Sequence, residues 1–164
     1  MTTLAVYPGS FDPFTLGHLD IVQRASRVFD RLVIGVGTNL DKQAWFSVDE
    51  RVELIRRSTS HLDNIEVRTY RGLTVKFVGQ CGATIMIRGV RPITDIPAEL
   101  TMMMANRRLA PDVETLFMIA DGELAHVSSS LIKEIASVAD EAIFANFLPG
   151  PIVKTVLERV REKS

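Results

Sequence analysis

The sequence predicts an α/β fold: a single-domain, Rossmann-like, doubly wound sheet of five parallel strands with helices at the C-terminus. Short apolar runs rich in Val and Ile alternate with stretches of helical character along the chain. Most of these runs are continuously apolar, which is typical of parallel strands covered on both faces. Five strand–helix units within about 140 residues imply a doubly wound sheet.

The predicted strands are the apolar runs themselves, and the first ends where Pro8 and Gly9 begin a loop. Right-handed crossovers connect parallel strands, so the loops that follow the strands should lie along one edge of the sheet. The five strands are Leu4–Tyr7, Leu32–Gly37, Ile65–Tyr70, Thr84–Arg88 and Glu114–Ile119.

The predicted helices have recognisable start and stop signals. Ser47 and Glu50 have the spacing of a capping box. Asp95 can cap a long helix that has Pro97 near its first turn and ends before Pro111. The six helices are Gly17–Val28, Ser47–Ser60, Leu73–Gln80, Asp95–Leu109, Ser129–Val138 and Ile152–Glu162.

Composition limits the class of protein. The 164 residues suit one domain spanning 1–164, and a net charge of −1 argues against a dedicated nucleic-acid binder. No apolar run reaches the roughly 18 residues of a membrane span, and no signal-peptide pattern is visible. The only cysteine, Cys81, cannot form an internal disulfide. We therefore expect a cytoplasmic protein without a membrane partner.

Four polar loops follow predicted strands at the shared sheet edge. Each loop alone is weak evidence, because a lone lysine is usually solvated and an Arg-Gly-x-Arg pair is usually a surface turn. Serines before a helix often serve only as its cap. The four loops are Pro8–His18, Asn39–Lys42, Arg88–Arg91 and Ser128–Ser130.

Together the loops predict a site for a multiply charged phosphate ligand. Donors and positive charge converge from His18, Lys42, Arg88 and Arg91, without acidic residues at metal-ligand spacing. Such a site works by orientation and charge stabilisation, the main sources of rate in nucleotidyl transfer. The chain lacks both a P-loop motif and Gly-x-Gly-x-x-Gly after the first strand, which argues against P-loop enzymes and dinucleotide dehydrogenases.

The segment Thr15-Leu16-Gly17-His18 resembles the Thr/His-x-Gly-His signature of the nucleotidylyltransferase superfamily. Within that superfamily, the chain is similar to the phosphopantetheine adenylyltransferase family of coenzyme A synthesis. The segments that support this similarity are Tyr7–Pro13, Ile87–Arg91, Met104–Arg107 and Ser128–Glu134. Together they are far more specific than the four-residue signature alone.

The resemblance implies a reaction in which ATP and 4′-phosphopantetheine give dephospho-coenzyme A and pyrophosphate, with Mg²⁺ accompanying ATP. It also implies a homohexamer built as a dimer of trimers, with coenzyme A as a feedback ligand. His18 would stabilise the α-phosphoryl group in the transition state, and Ser10 would contact both substrates. No general base is needed, because the nucleophile is already an anionic phosphate.

The remaining site residues also follow from the resemblance, and no side chain is assigned as a metal ligand. Phosphopantetheine would be bound by Ser10, Lys42, Thr74 and Arg88. ATP would be bound by Ser10, Phe11, His18, Gly89, Val90, Arg91, Glu99, Leu124, Ala125, His126, Val127, Ser128, Ser129 and Ser130.

Several positions depart from the family pattern. Ser10 stands where threonine is usual, and Leu16 stands where asparagine is common. The start of the long helix, Asp95–Glu99, lacks the usual Phe-Glu-Tyr character, and Gly122–Val127 lacks the usual aromatic residues. The adenine contacts are therefore the least supported part of the resemblance, and we interpret His126 as filling the place of an aromatic residue.

Three consecutive methionines, Met102 to Met104, cover most of the circumference of the long helix. At least one of them must therefore leave the core face. We expect a mixture of core packing and subunit contact.

Two other functions remain open. One is a sister nucleotidylyltransferase acting on nicotinamide mononucleotide or a phosphorylated alcohol, against which the spacing of Lys42, Arg88 and the three serines argues. The other is a catalytically silent nucleotide-binding module, against which the presence of both Ser10 and His18 argues.

Overall fold

The computed structural model describes residues 2–38, 44–91 and 95–163. It confirms the expected sheet of five parallel strands, and each predicted strand is present within a few residues of its expected bounds. The strands are β1 Leu4–Gly9, β2 Arg31–Thr38, β3 Ile65–Arg71, β4 Ile85–Val90 and β5 Glu114–Ile119.

The strand order is β3-β2-β1-β4-β5, and every neighbouring pair is parallel. The chain winds outward from β1 through β2 to β3, then returns to place β4 on the other side of β1. In such sheets the crevice beyond the carboxyl ends of the two strands at this reversal is where ligands bind. The topology therefore directs attention to the ends of β1 and β4, at Gly9 and Val90.

The helices largely follow the predicted bounds. The helix expected over Ser129–Val138 is shorter, because the Ile135 carbonyl accepts from the backbone N–H groups of Val138 and Ala139 and the chain turns there. A four-residue helix follows that the sequence pattern did not predict. The helices are α1 Leu16–Val28, α2 Val48–Thr59, α3 Thr74–Gln80, α4 Ile96–Leu109, α5 Ser129–Ile135, α6 Glu141–Phe144 and α7 Val153–Lys163.

Hydrophobic side chains cover both faces of the central strands β1, β2 and β4, which explains why their sequences are largely apolar. In β1, Ala5 and Tyr7 pack into the larger core with residues of α1, α2, α5 and α7. Val6, between them, packs into the smaller core on the other face with Val75 and Phe77 of α3. The sheet is thus a rigid platform for the loops at its carboxyl edge.

Helix α4 differs from the others because none of its residues is buried. Met102 and Met104 are 55% and 61% exposed, whereas Met103 is half-buried, so the prediction that some of the methionines leave the core is confirmed. Leu116 and Ile119 of the neighbouring edge strand β5 are also exposed. Within the described residues, no helix has the length and apolar character needed to cross a bilayer.

A close approach between β2 and α3 explains the glycine at position 35. A Cβ atom on Gly35 would lie 2.4 Å from Cε1 of Phe77, far inside van der Waals contact. The Phe77 ring cannot easily move away, because it stacks on Tyr70 with ring centroids 4.4 Å apart. Gly35 therefore makes room for the aromatic stack that fills the smaller core.

We expect Gly35→Ala to lower the free energy of unfolding by about 1–3 kcal/mol, the usual cost of overpacking a core. The matched control is Gly79→Ala in α3, where an added Cβ meets no atom within 4 Å. That change should leave stability equal or raise it by about 1 kcal/mol, because alanine favours helix. Urea denaturation measures both variants, and equal effects would contradict the packing argument.

Candidate active site

A cleft of about 150 Å³ lies at the carboxyl ends of β1 and β4, where the topology places a ligand crevice. Tyr7 and Ile21 form part of its wall, and Ala120 and Asp95 contribute from the segments around β5 and α4. The cleft brings together six residues that the sequence assigned to nucleotide binding. These are His18, Gly89, Val90, Arg91, Val127 and Ser128.

His18 is the third residue of α1 and is held there by the residue that caps the helix. The Thr15 hydroxyl accepts from the His18 backbone N–H at 3.4 Å, and the Thr15 backbone N–H donates to His18 Nδ1 at 3.1 Å. This reciprocal arrangement is a capping box in which histidine takes the place of the usual glutamate. Since Nδ1 accepts a hydrogen bond, the proton of a neutral ring is on Nε2.

The surroundings of His18 favour that neutral ring. Its imidazole stacks on Phe14 with centroids 5.6 Å apart and meets Phe11 edge-on at 5.1 Å. Burial, together with the positive charge of Arg91, lowers the pKa of His18 to about 4. At neutral pH, His18 is therefore an uncharged hydrogen-bond donor in the wall of the cleft.

Gly17 allows the segment before α5 to approach α1 closely. A Cβ at this position would lie 3.3 Å from the Val127 carbonyl oxygen and 3.7 Å from that of Leu124. Val127 is buried, while Leu124 and Ala125 are half-buried beside it. His126 is exposed and meets the Phe147 ring edge-on at 6.0 Å, in keeping with its interpretation as a substitute for an aromatic residue.

Two carboxylates of the α4 region orient the arginines of the site. Arg88 donates from Nε and Nη2 to the Glu99 carboxylate at 2.8 and 2.5 Å. Arg91 forms a similar two-point pair with Asp95, both distances being 2.8 Å. These hydrogen bonds raise the pKa of each arginine, so both stay charged. The sequence analysis did not identify these two carboxylates as partners of the arginines.

The same contacts revise two expectations for α4. Asp95 occupies the N-cap position, but its side chain makes no capping hydrogen bond, because Arg91 engages the carboxylate. Glu99, assigned to ATP by resemblance, has both carboxylate oxygens on Arg88. Among the described residues, the hydrogen bonds of the Glu99 carboxylate therefore orient Arg88.

The loop between β1 and α1 is fixed from several sides. Phe11 is only 2% exposed, and its φ of 51° lies in the left-handed region that bulky residues rarely adopt. Its ring lies over Gly9, where a Cβ would be 2.8 Å from Cζ of Phe11. Ser10 is exposed, and its carbonyl accepts from Arg51 Nη1 at 2.7 Å. The loop therefore presents Ser10 outward while Phe11 anchors it inward.

Sequence reasoning missed the charged residues that hold this loop. Arg51 of α2 is 4% exposed and also donates to the Gly37 carbonyl at 3.1 Å. Asp12 is 6% exposed and accepts from Lys133 Nζ at 2.6 Å. Only the position of Asp12 inside the segment Tyr7–Pro13 could have signalled it, because partners this far apart in sequence leave no local pattern.

Ser129, Ser130 and Thr74, also assigned from the sequence, are not among the residues that line the cleft. Ser128 caps α5 by accepting from the Leu131 backbone N–H at 3.1 Å, Ser129 Oγ donates to the Pro13 carbonyl at 2.8 Å, and Ser130 is exposed. Thr74 begins α3 beyond the end of β3, where its hydroxyl pairs with that of Tyr70 at 3.1 Å. Lys42 and the rest of the Asn39–Lys42 feature fall outside the described residues.

Comparison with known proteins places this geometry in a family. The cytidylyltransferase-like family model matches residues 6–135. The phosphopantetheine adenylyltransferase of Rhodopirellula baltica is 50% identical over 163 residues, 99% of this chain and 91% of that protein. The phosphopantetheine adenylyltransferase of Clostridium botulinum is 42% identical, covering 95% of this chain and 97% of that protein.

Solved structures support the fold. A bifunctional NMN adenylyltransferase/ADP ribose pyrophosphatase from Francisella tularensis matches with a TM-score of 0.71 at 10% identity, over 99% of this chain and 52% of that one. A lipopolysaccharide core biosynthesis protein from Thermoplasma volcanium matches with a TM-score of 0.52 at 19% identity, over 74% of this chain and 98% of that one. At these identities the likeness concerns the fold alone. By the family model and its close relatives, the chain belongs to the cytidylyltransferase-like family, among the phosphopantetheine adenylyltransferases.

Proposed function

We propose that this chain transfers the adenylyl group of ATP to 4′-phosphopantetheine and releases pyrophosphate. The observation that carries the proposal is a neutral His18, oriented by Thr15, in one cleft with Arg91 at the reversal point of the sheet. Relatives of 50% and 42% identity over nearly the whole chain support the choice of substrates. The product is dephospho-coenzyme A, so the reaction belongs to coenzyme A synthesis.

In this reaction an oxygen of the phosphopantetheine phosphate attacks the α-phosphorus of ATP in line. A new P–O–P bridge forms as the bond from the α-phosphorus to the β-bridging oxygen breaks, and that oxygen leaves with the electron pair as part of pyrophosphate. The nucleophile is already anionic, so no residue has to remove a proton. The protein has to align two like-charged groups and stabilise the charge that develops between them.

We assign that work to donors around the cleft. His18 donates its Nε2–H to the α-phosphoryl group, and Arg91 with the backbone of Gly89 and Val90 binds ATP. Phe11, Glu99 and residues 124–130 complete the proposed nucleotide contacts, with Ser10 shared by both substrates. Phosphopantetheine is bound by Ser10, Lys42, Thr74 and Arg88. Since carboxylates already orient both arginines, little conformational freedom is lost when a phosphate binds.

The proposed metal is Mg²⁺ that enters together with ATP. Among the described residues, no group of three or more His, Cys, Asp or Glu side chains could hold a metal ion. Asp95 is the carboxylate among the described cleft residues, and Arg91 already engages it. This donor set fits an ion held mainly by phosphate oxygens, the usual arrangement for Mg²⁺ at nucleotide sites, where it neutralises phosphate charge.

Assembly and regulation extend the proposal. The proposed assembly is a hexamer built from two trimers, and the exposed apolar side chains of α4 and β5, including Leu100, Met104 and Ile119, support self-association. Coenzyme A, which contains the product, is the proposed feedback ligand. We also propose that residues 1–164 act as one nucleotidylyltransferase domain, in the cytoplasm where both ATP and a reduced Cys81 are expected.

Pyrophosphate release from Mg·ATP with different acceptors tests the proposed function. We expect release with 4′-phosphopantetheine and little with nicotinamide mononucleotide or a phosphorylated alcohol. The opposite preference would assign the chain to a sister nucleotidylyltransferase. Binding of ATP without release from any acceptor would indicate a silent nucleotide-binding module.

His18→Ala should lower kcat far more than it weakens ATP binding, because the hydrogen bond to the α-phosphoryl group strengthens only in the transition state. Loss of such a donor typically lowers kcat by about 10²–10³-fold. Steady-state kinetics together with calorimetric ATP binding separates the two effects. An unchanged kcat would remove His18 from the mechanism.

The lowered pKa of His18 also predicts how stability depends on pH. An unfolded chain protonates this histidine near pH 6.5, whereas the folded protein resists protonation until about pH 4. Between these values the unfolded state binds more protons, so stability falls as the pH falls. Without ligands, we expect a loss on the order of 2 kcal/mol from His18 between pH 7 and pH 5.

Chemical denaturation at several pH values measures this slope. The variant His18→Asn keeps an oxygen that can accept the Thr15 N–H but has no group that titrates. It should therefore be less sensitive to pH across this range than the wild type. Parallel pH profiles for the two proteins would contradict the assignment.

A further inference from the structure

Side chains distant in sequence hold the loop that leads from β1 into the Thr15–His18 signature. Arg51, 41 residues after Ser10, binds the Ser10 carbonyl from the side of α2. Ser129 and Lys133 bind the next residues of the loop from α5, across sequence separations of 116 and 121 residues. The position of the loop therefore depends on tertiary contacts.

Asp12 is the centre of these contacts. Its side chain is 7% exposed, and Oδ2 accepts from Lys133 Nζ at 2.6 Å and from the Trp45 backbone N–H at 2.9 Å. Oδ1 accepts from the Phe46 backbone N–H at 2.9 Å. Burying a carboxylate is unfavourable unless donors or an opposite charge compensate for lost hydration, and here three groups contact it.

Lys133 and Ser129 are four residues apart in α5, so they lie on the same face of that helix. Through Asp12 and Pro13 this face is fixed to the loop at two adjacent residues. Ser128, immediately before α5, and His18, after the loop, both line the cleft. The two contacts thus join the loop before His18 to the helix that follows Ser128.

We propose that Asp12 and Lys133 act as one positioning pair, whose ion pair sets the placement of His18 relative to Ser128. This inference rests on the proposed function, because it concerns the geometry of adenylyl transfer. Neither residue needs to touch a substrate. A displacement of about 1 Å at reacting groups can lower a rate by roughly 100-fold, so an indirect role can have a large effect.

The ion pair should be tested with Asp12→Asn, Lys133→Met, the double variant and Lys133→Arg. Each of the first two should lower kcat by about 10–100-fold while changing the KM for ATP by less than about threefold. Since either change breaks the same pair, the kcat of the double variant should be no lower than that of the less active single variant. Lys133→Arg keeps the positive charge and should recover most of the lost kcat.

Glu66→Gln is the matched control. Glu66 also forms a two-point pair, with Arg68 at 2.6 and 2.9 Å, but it lies near the start of β3, at the opposite edge of the sheet from the cleft. The Glu66→Gln variant should have the same kcat as the wild type. A comparable loss in this control would mean that any broken ion pair lowers activity, and would overturn the positioning role.

Trp45 provides a readout that does not depend on turnover. It is the only tryptophan, its backbone N–H binds Asp12, and its ring centroid lies 5.6 Å from Lys133 Nζ. Both Asp12→Asn and Lys133→Met should shift its fluorescence emission, because either change releases the ammonium group from the ring. An emission shift for Lys133→Met alone would show that Asp12 does not hold the lysine, and would overturn the pair.

Three kinetic outcomes would also overturn the proposal. Lower melting temperatures with unchanged kcat well below them would indicate a purely structural pair. A raised KM for ATP in Lys133→Met alone would show that the lysine contacts a substrate phosphate. Multiplicative losses of kcat in the double variant would show that the residues act separately.

Failure of the proposed function can be distinguished from failure of the positioning pair. If the wild type releases no pyrophosphate with phosphopantetheine, the proposed function fails, while the fluorescence result still decides whether the pair exists.

Discussion

The buried carboxylate of Asp12 is the constraint on which the architecture of the cleft depends. It joins the loop after β1, the segment before α2 and helix α5, three parts of the chain that lie far apart in sequence. Removing Lys133 would leave the buried Asp12 carboxylate without its opposite charge, which is unfavourable because the carboxylate is largely shielded from water. Such a contact contributes to a unique arrangement as much as to stability, since few alternative packings satisfy every donor and acceptor around it.

The cleft balances charge in two different ways. His18 is kept neutral by aromatic neighbours, whereas Arg88 and Arg91 stay charged because carboxylates of the α4 region face them. A neutral donor close to an arginine avoids the repulsion that two cations would suffer before an anion arrives. Each carboxylate would weaken the attraction of its arginine for an anion, but its two-point contact also fixes the orientation of the guanidinium plane.

Much of the fold could be predicted from sequence because it is encoded locally. Short apolar runs, most of them rich in Val and Ile, identified all five strands, and the Ser47–Glu50 capping box marked the start of α2. His18, Arg91 and Ser128 were assigned to one cleft and lie there. The pairs Asp12–Lys133 and Arg88–Glu99 could not be predicted, because their spacing follows from the tertiary fold and no helix or strand period encodes it. Helix α5 ends early because of turn hydrogen bonds, and no residue of this segment gave a sequence signal for them.

The order of residues around the cleft has a consequence for biosynthesis. His18 and Ser128 both line the cleft, but the ribosome adds His18 to the chain 110 residues before Ser128. At about 5–20 residues per second, the loop after β1 waits for roughly 5–20 s before α5 exists. Throughout that interval Asp12 lacks Lys133, and a nascent chain has the loop after β1 without Ser128. Nucleotide can therefore stabilise this fold only after most of the chain has been synthesised.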